Sequence, residues 1–159
     1  MPNAINLLKK DHENVKKLLS DLESTTARGA KKRQQLLDTI ESELEVHTRI
    51  EEEIFYPAFE QAGRREDDSE LYFEAREEHR LVDDVLPKLK ECDPGSTEFG
   101  GKATVLKDLV EHHAEEEEKE MFPRMRKLLS NEELEELGER MEERKKQLSK
   151  EANGARAAR

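Results

Sequence analysis

Cysteine, aromatic residues and turn-forming residues are scarce in this chain, and each scarcity excludes a class of protein. The single cysteine, Cys92, rules out an internal disulfide and any zinc or iron–sulfur site built from several thiolates. Aromatic residues make up 4% of the 159 residues, and there are only 7 glycines and 5 prolines. This composition argues against a β-sheet protein and favours one that is mostly helical.

Long apolar runs and excess positive charge are also missing. The longest apolar run covers residues 54–59 and is far too short to span a bilayer. Asp and Glu outnumber Lys and Arg by 39 to 28, giving a formal net charge of −11. Nucleic acid or an anionic membrane is therefore an unfavourable main partner. The chain opens without a basic segment followed by an apolar one, so we expect a cytoplasmic protein.

The sequence is rich in helix-forming residues arranged in apolar stripes. Charged residues make up 42% of the chain, and apolar residues recur at spacings of three and four, the pattern of one helix face. The predicted helices cover about residues 4–24, 31–61, 70–91, 98–128 and 131–150. We predict an all-α fold, an up-down-up-down four-helix bundle with an additional C-terminal helix. It forms one domain, residues 1–151, followed by a flexible tail, residues 152–159.

Local signals place several helix boundaries. Residues 63–69 are polar and predict a solvated loop before the third helix. Thr97 can cap the fourth helix, and Ser130 followed by Glu133 forms a capping box for the fifth. Pro57 lies inside the stripe of the second helix, so it should bend that helix or end it a few residues later.

One pattern occurs twice in the chain, at residues 47–57 and 113–123. In each copy a His is followed four residues later by a Glu, then by an apolar pair, and by a Pro ten residues after the His. Positions i and i+4 lie on the same face of a helix. Each copy therefore directs an imidazole and a carboxylate into the same space.

Two further histidines lie in apolar stripes, and their depth along the helices puts all the groups near one level. The set is His12, His47, Glu51, His79, His113 and Glu117. A lone His in such a stripe is more often a hydrogen-bonded core residue, but two buried carboxylates with no Lys or Arg in the stripes need a cation. Imidazoles with carboxylates suit iron, manganese or zinc rather than calcium or magnesium. Six ligands exceed what one catalytic zinc takes, so we predict two metals bridged by the two carboxylates.

With these residues the sequence resembles the hemerythrin-like (HHE cation-binding) family over about residues 4–128. The resemblance lies in a His, a His-x-x-x-Glu pair, a third His and a second such pair, in order and on separate helices. It implies two iron ions in a non-haem di-iron centre with carboxylate and oxo bridges. The implied partners are small molecules, namely O₂, H₂O₂ or NO, with no nucleic acid and no membrane, and we expect a monomer or weak oligomer.

The sequence departs from the oxygen-carrying hemerythrins at two positions. The carriers have a second His four residues after the one on the third helix, where this chain has Asp83, and an Asp near the position of Glu117. The chain therefore looks more like bacterial members of the family proposed to sense, scavenge or decompose reactive oxygen and nitrogen species. We expect a role in oxidative or nitrosative stress defence.

Three function classes remain open at this point. The first is a di-iron enzyme that decomposes peroxide in a catalase-like reaction, and the second is a non-enzymatic module that binds O₂ or NO as a sensor, or stores iron. The third is a metal-free helical interaction protein, which the ionisable groups in the stripes argue against. The sequence does not decide between the first two, but the lack of an attached output domain favours scavenging.

The residues around the predicted site are assigned less directly. Asp83 is interpreted as a solvated carboxylate rather than a seventh ligand. Tyr56 and Tyr72 are able to hydrogen-bond the site, but tyrosines at core edges are common and we assign neither. His112 has a helical stripe of its own, but the register of the repeat, together with the longer stripe that leads into His113, selects His113 as the inward-facing histidine.

Overall fold

A computed structural model of the chain describes residues 3–157; residues 1–2 and 158–159, the ends of the predicted domain and tail, lie outside this range. The helices are α1 (Ala4–Glu23), α2 (Ala30–Ile50), α3 (Tyr56–Ala62), α4 (Glu66–Glu91), α5 (Thr97–Glu116), α6 (Phe122–Leu128) and α7 (Asn131–Ala157). Two π-helical turns, Glu51–Phe55 and Glu117–Met121, join α2 to α3 and α5 to α6. No strand occurs in the described range, and the predicted all-α class is confirmed.

Four rods form the bundle, namely α1, α2 with α3, α4, and α5 with α6. Helix α1 packs against α2 and α5, and α4 packs against α5 and α3. Helix α7 lies outside the bundle across α1 and α2, and its buried face consists of Leu134, Leu137, Met141 and Leu148. The predicted four-helix bundle with an additional helix is therefore confirmed. Among residues 3–157, no helix is long and apolar enough to cross a membrane.

Within residues 3–157 the core consists of two apolar clusters, and every rod of the bundle runs from one to the other. One cluster contains Leu8, Phe55 and Phe122, and the other contains Leu19, Ile40 and Leu106. Each rod has a buried histidine at the point where it passes from one cluster to the other. The histidines are therefore held at one level of the bundle with apolar packing on both sides.

Two of the predicted helix starts need correction. Ser96, not Thr97, caps α5, because its hydroxyl accepts a hydrogen bond from the backbone N–H of Phe99 at 3.2 Å. Helix α4 begins at Glu66, so the second half of the predicted loop is helical. The reason is Asp68, which is buried and accepts hydrogen bonds from two backbone N–H groups just before the helix and from Arg124.

The C-terminal helix begins as predicted and ends later. Ser130 and Glu133 form the predicted capping box, with N–H to side-chain distances of 2.7 and 3.2 Å. Helix α7 then continues past the predicted end near Lys150 as far as Ala157, through most of the predicted tail.

Each π-turn begins at the Glu of one repeat. The backbone N–H of Tyr56 donates to the carbonyl of Glu51, five residues earlier, and Phe122 donates to Glu117 in the same way. A π-turn adds one residue to the helical turn, so the residues that follow are displaced relative to an α-helical stripe. Pro57 follows this turn as the second residue of α3. The rod ends at Ala62, a few residues after the proline, as predicted.

The added residue decides which side chains enter the core after Glu51. An uninterrupted α-helical stripe would bury Ile54 and Ala58, whereas both are only half-buried. Phe55, Tyr56 and Phe59 are fully buried instead. The π-turn thereby brings the Tyr56 side chain to the level of the histidines.

Candidate metal centre

The structure brings all six predicted site residues together. They are buried, none more than 7% exposed, and they come from every rod of the bundle. The histidines lie on α1, α2, α4 and α5, while each glutamate opens a π-turn; the residues are His12, His47, His79, His113, Glu51 and Glu117.

The six residues form two groups of potential ligand atoms that have Glu51 in common. In the first group, His12, His47, Glu51 and Glu117 each place a nitrogen or oxygen within 4.8 Å of the others. The second group, under the same limit, consists of Glu51, His79 and His113. A carboxylate shared between two sets of donors is suited to bridge two cations.

Each carboxylate lies between imidazoles from both groups. Glu51 Oε1 is 3.1 Å from His47 Nε2 and 3.1 Å from His79 Nε2. Glu117 Oε1 is 3.3 Å from His12 Nε2 and 3.0 Å from His113 Nε2. Both glutamates therefore connect the two sides of the site, as the repeat in the sequence indicates.

Several of these atoms are buried without a hydrogen bond. Within residues 3–157 they include Nε2 of His12 and of His47, Glu51 Oε2 and Glu117 Oε1. His12 Nε2 and Glu117 Oε1 are close enough for an ion pair but are not aligned to hydrogen-bond to each other. A buried polar atom without a partner costs about 1–3 kcal/mol, and a cation between these atoms would satisfy them. The residues present therefore fit a metal site.

A second set of carboxylates contacts the outward-facing nitrogen of each of the four site histidines. Asp11 contacts His47 at 3.0 Å, Glu52 contacts His79 at 3.4 Å, Glu78 contacts His113 at 2.8 Å and Glu118 contacts His12 at 3.1 Å, in each case through Nδ1. Such carboxylate–histidine contacts fix the tautomer and direct Nε2 towards a metal.

These four carboxylates form a ring around the bundle. Each follows or precedes a site residue on its own rod and contacts the histidine of the next rod, so the order α1, α2, α4, α5 closes on itself. The sequence analysis missed all four. An acidic residue beside a predicted ligand on every rod was the available signal, but in so acidic a chain it is not distinctive.

Tyr56 is a further residue of the site that the sequence analysis left unassigned. Its side chain is fully buried, and its hydroxyl donates to Glu117 Oε2 at 3.2 Å. The hydroxyl oxygen also lies 3.0 Å from His79 Nε2 and 3.1 Å from His113 Nε2. Phe122, the equivalent residue of the second repeat, stacks on His12 with an interplanar angle of 5°. The two sides of the site are therefore chemically different.

The remaining residues weighed from the sequence lie outside the centre. Tyr72 contacts Phe73 and Arg76 instead, and Asp83 is exposed, as expected of a solvated carboxylate. His112 is 61% exposed, with Nε2 at 3.2 Å from Glu78. Its neighbour His113 points inward, so the structure has the register that the repeat predicted for this helix.

When no metal is bound, protons on the histidines balance the negative charge of the buried carboxylates. Although burial opposes it, attraction to Glu51 and Asp11 raises the pKa of His47 to about 10. Burial is likewise outweighed at His113, whose pKa is raised well above its usual value by Glu117 and Glu51. The pKa of Glu51 is lowered in spite of burial, chiefly by His47. Binding of a cation would have to displace these protons.

A small cavity lies against the four histidines. Its volume is about 30 Å³, enough for one or two molecules the size of water. The wall away from the imidazoles is apolar apart from one threonine, and consists of Val15, Leu44, Thr48, Val82, Val110 and Ala114. Only a very small molecule would reach the inward-facing nitrogens through this space.

Comparisons with known proteins agree with the fold and with a cation-binding family. The sequence model of the hemerythrin HHE cation-binding domain family matches residues 3–125 of this chain. A crystal structure of an HHE cation-binding domain-containing protein from Mycobacterium kansasii has a TM-score of 0.83 and 33% sequence identity, covering 96% of this chain and 90% of that chain. An uncharacterized protein of Mycobacterium tuberculosis is 32% identical over 147 residues, 92% of this chain and 87% of that protein. A DNA nickase of Nostoc sp. is 31% identical over 133 residues, 84% of this chain; the match covers 36% of that protein's length.

Proposed function

The chain belongs to the hemerythrin HHE cation-binding family, and we propose that its buried cluster holds two iron ions as a non-haem di-iron centre. The observation that carries the proposal is the pair of donor groups that share Glu51. Imidazole and carboxylate donors together suit iron among the biological metals, and the unsatisfied buried atoms at the centre call for a cation.

The donor groups suggest how the ligands divide between the metals. His12 and His47 would hold one iron, and His79 and His113 the other. Glu51 and Glu117 would bridge the two, because each has an oxygen near imidazoles of both pairs. The ring of outer carboxylates would keep every imidazole in the orientation that binding needs.

We propose further that the centre decomposes peroxide as part of oxidative or nitrosative stress defence. The iron pair, when bound, supplies the exchange of electrons with a small oxidant. The protein restricts access, since the cavity of about 30 Å³ admits only small molecules and most of its other wall is apolar. Tyr56 donates its hydroxyl proton to Glu117 and lies beside two imidazoles, so it would help to orient the side chains that hold the iron pair.

A non-enzymatic role is the second candidate, and the same cavity supports it. A space of about 30 Å³ accommodates O₂ or NO as readily as peroxide, so a sensor that binds without turnover has the same requirements. An iron-storage module would also need the same ligands. Turnover of peroxide separates the first candidate from the others.

The test begins with metal content. Metal-free protein reconstituted anaerobically with ferrous iron should retain about two metals per chain after desalting, and its oxidised form should absorb in the near ultraviolet. Fewer than about one metal per chain would contradict the di-iron centre. Peroxide consumption is then measured for this protein, for Glu51→Ala and for an equal amount of free iron. If the loaded protein consumes peroxide no faster than free iron does, the enzymatic proposal is wrong and the non-enzymatic binding role remains.

The setting of this activity is also a proposal. We expect a monomer or weak oligomer that acts on O₂, peroxide or NO in the cytoplasm. We assign no DNA-directed activity, since a net charge of −11 disfavours contact with a phosphate backbone. The activity named for the Nostoc relative belongs to a protein of which this chain matches only a part.

A further inference from the structure

The C-terminal helix reaches the metal centre through a chain of polar contacts. Lys145 of α7 donates to one carboxylate oxygen of Asp11. The other oxygen of Asp11 lies 3.0 Å from His47 Nδ1, and His47 Nε2 lies 3.1 Å from Glu51 Oε1. A single carboxylate therefore separates an ammonium group on the outer helix from a proposed metal ligand.

Asp11 differs from the other three carboxylates of the outer ring in its burial. Its side chain is 4% exposed, whereas the side chains of the others are 14–32% exposed. Water can hydrate those carboxylates, but Asp11 must be satisfied by protein groups. Lys145 contacts it as a cation from the outer helix, because α7 covers this side of α1 and α2.

The same helix also holds the π-turn that carries Glu51. Arg144 donates to Glu53 Oε2 at 2.7 Å and to Glu53 Oε1 at 3.3 Å, and Glu53 lies within the turn Glu51–Phe55. Arg49 contacts the same carboxylate, so this second link is shared between helices. Both links are made by α7, which lies beyond residues 3–125, the part of the chain that the family model matches.

We propose that α7 is a working part of the metal centre, in which Lys145 positions His47 through Asp11 and so controls retention of the metal on the His12 and His47 side. The inference rests on the proposed two-metal site. Lys145 acts as a positioning residue: it fixes the Asp11 carboxylate, which in turn prevents the His47 ring from turning away. Without the ammonium, the buried carboxylate loses one of the two partners that it has in the described part of the chain. The His47 ring then loses its fixed orientation.

The test compares Lys145→Met, which keeps the apolar stem and removes the charge, with Lys146→Met at the exposed neighbouring position. Both proteins are loaded with ferrous iron without oxygen, and release to a coloured chelator is followed over time. In Lys145→Met, about half of the metal should leave roughly 10- to 100-fold faster than in the unmodified protein, because loss of an outer contact costs about 10- to 100-fold in metal affinity and we expect this loss in the release rate. Lys146→Met should behave like the unmodified protein, and Lys145→Arg should restore slow release.

Equal acceleration for both halves of the metal would overturn the inference, because a general loosening of the fold gives that result. Unchanged release from Lys145→Met would also overturn it. Melting curves of the metal-free and loaded forms distinguish the positioning role of Lys145 from a packing role, because loss of packing would lower both melting temperatures equally. Should Lys145→Met fail to fold, Asp11→Asn replaces it, and unchanged release from that variant would refute the link. The metal content of the unmodified protein tests the proposed two-metal site on which this inference rests, whereas the contrast between the lysine variants tests the inference itself.

Discussion

Metal binding should be strongly coupled to proton release at neutral pH. In the metal-free protein the carboxylates of Glu51 and Asp11 raise the pKa of His47 to about 10, against the effect of burial. A metal at Nε2 requires the neutral imidazole, so the proton must leave first. At pH 7.5 this displacement costs about 3 kcal/mol, or roughly a 300-fold loss of affinity relative to a neutral ring. His113, with a pKa also raised well above its usual value, adds to this cost.

The measurement is calorimetric titration of the metal-free protein with Zn²⁺, which has no redox chemistry, in buffers of different ionisation enthalpy. We expect about one to two protons released per chain near pH 7.5, and affinity that rises at least about tenfold per pH unit between pH 7 and 9. His112→Ala removes an exposed imidazole and should leave the proton count unchanged. No proton release, or affinity independent of pH in this range, would refute the reasoning.

The same pKa shift determines how the metal-free protein responds to alkali. A group whose pKa is raised by folding stabilises the folded state fully below its unfolded-state pKa, and that contribution is lost as the pH rises through its folded-state pKa. For His47 this window runs from about 6.5 to about 10. The metal-free protein should therefore unfold at lower urea concentration as the pH is raised across the window. Stability that increases there would contradict the assignment.

Three further predictions test individual residues. His113→Ala should remove roughly half of the metal or more, while His112→Ala leaves metal content nearly unchanged; the reverse outcome in metal analysis would show that the wrong one of the adjacent pair was assigned. Chelation should clearly lower the melting temperature of the loaded protein because binding energy contributes to folding, and Glu51→Ala should abolish that difference; identical melting of both unmodified forms would contradict it. Tyr56→Phe deletes a buried hydroxyl that contacts three site residues and should destabilise the metal-free protein by about 1–2 kcal/mol in urea unfolding, whereas unchanged stability would show that these contacts contribute nothing.

Helical periodicity and an internal repeat were enough to predict the fold class and the six residues that meet at the centre. Residues on one helix face share that face whatever surrounds the helix, so each His four residues before a Glu was recognisable as an inward-facing pair. The repeat distinguished His113 from His112, which periodicity alone did not separate. The choice of iron, and whether the site catalyses turnover, stay predictions.

The tertiary structure decided what lies around those six residues. The π-turn at Glu51 changes the helical period itself. It places Tyr56 at the site, whereas a regular α-helical stripe would have directed the Tyr56 side chain away from it. The outer carboxylates and Lys145 act across helices. Which residues of different helices meet depends on the order, rotation and crossing of the helices, and these follow from packing of the whole core rather than from the pattern along any one segment.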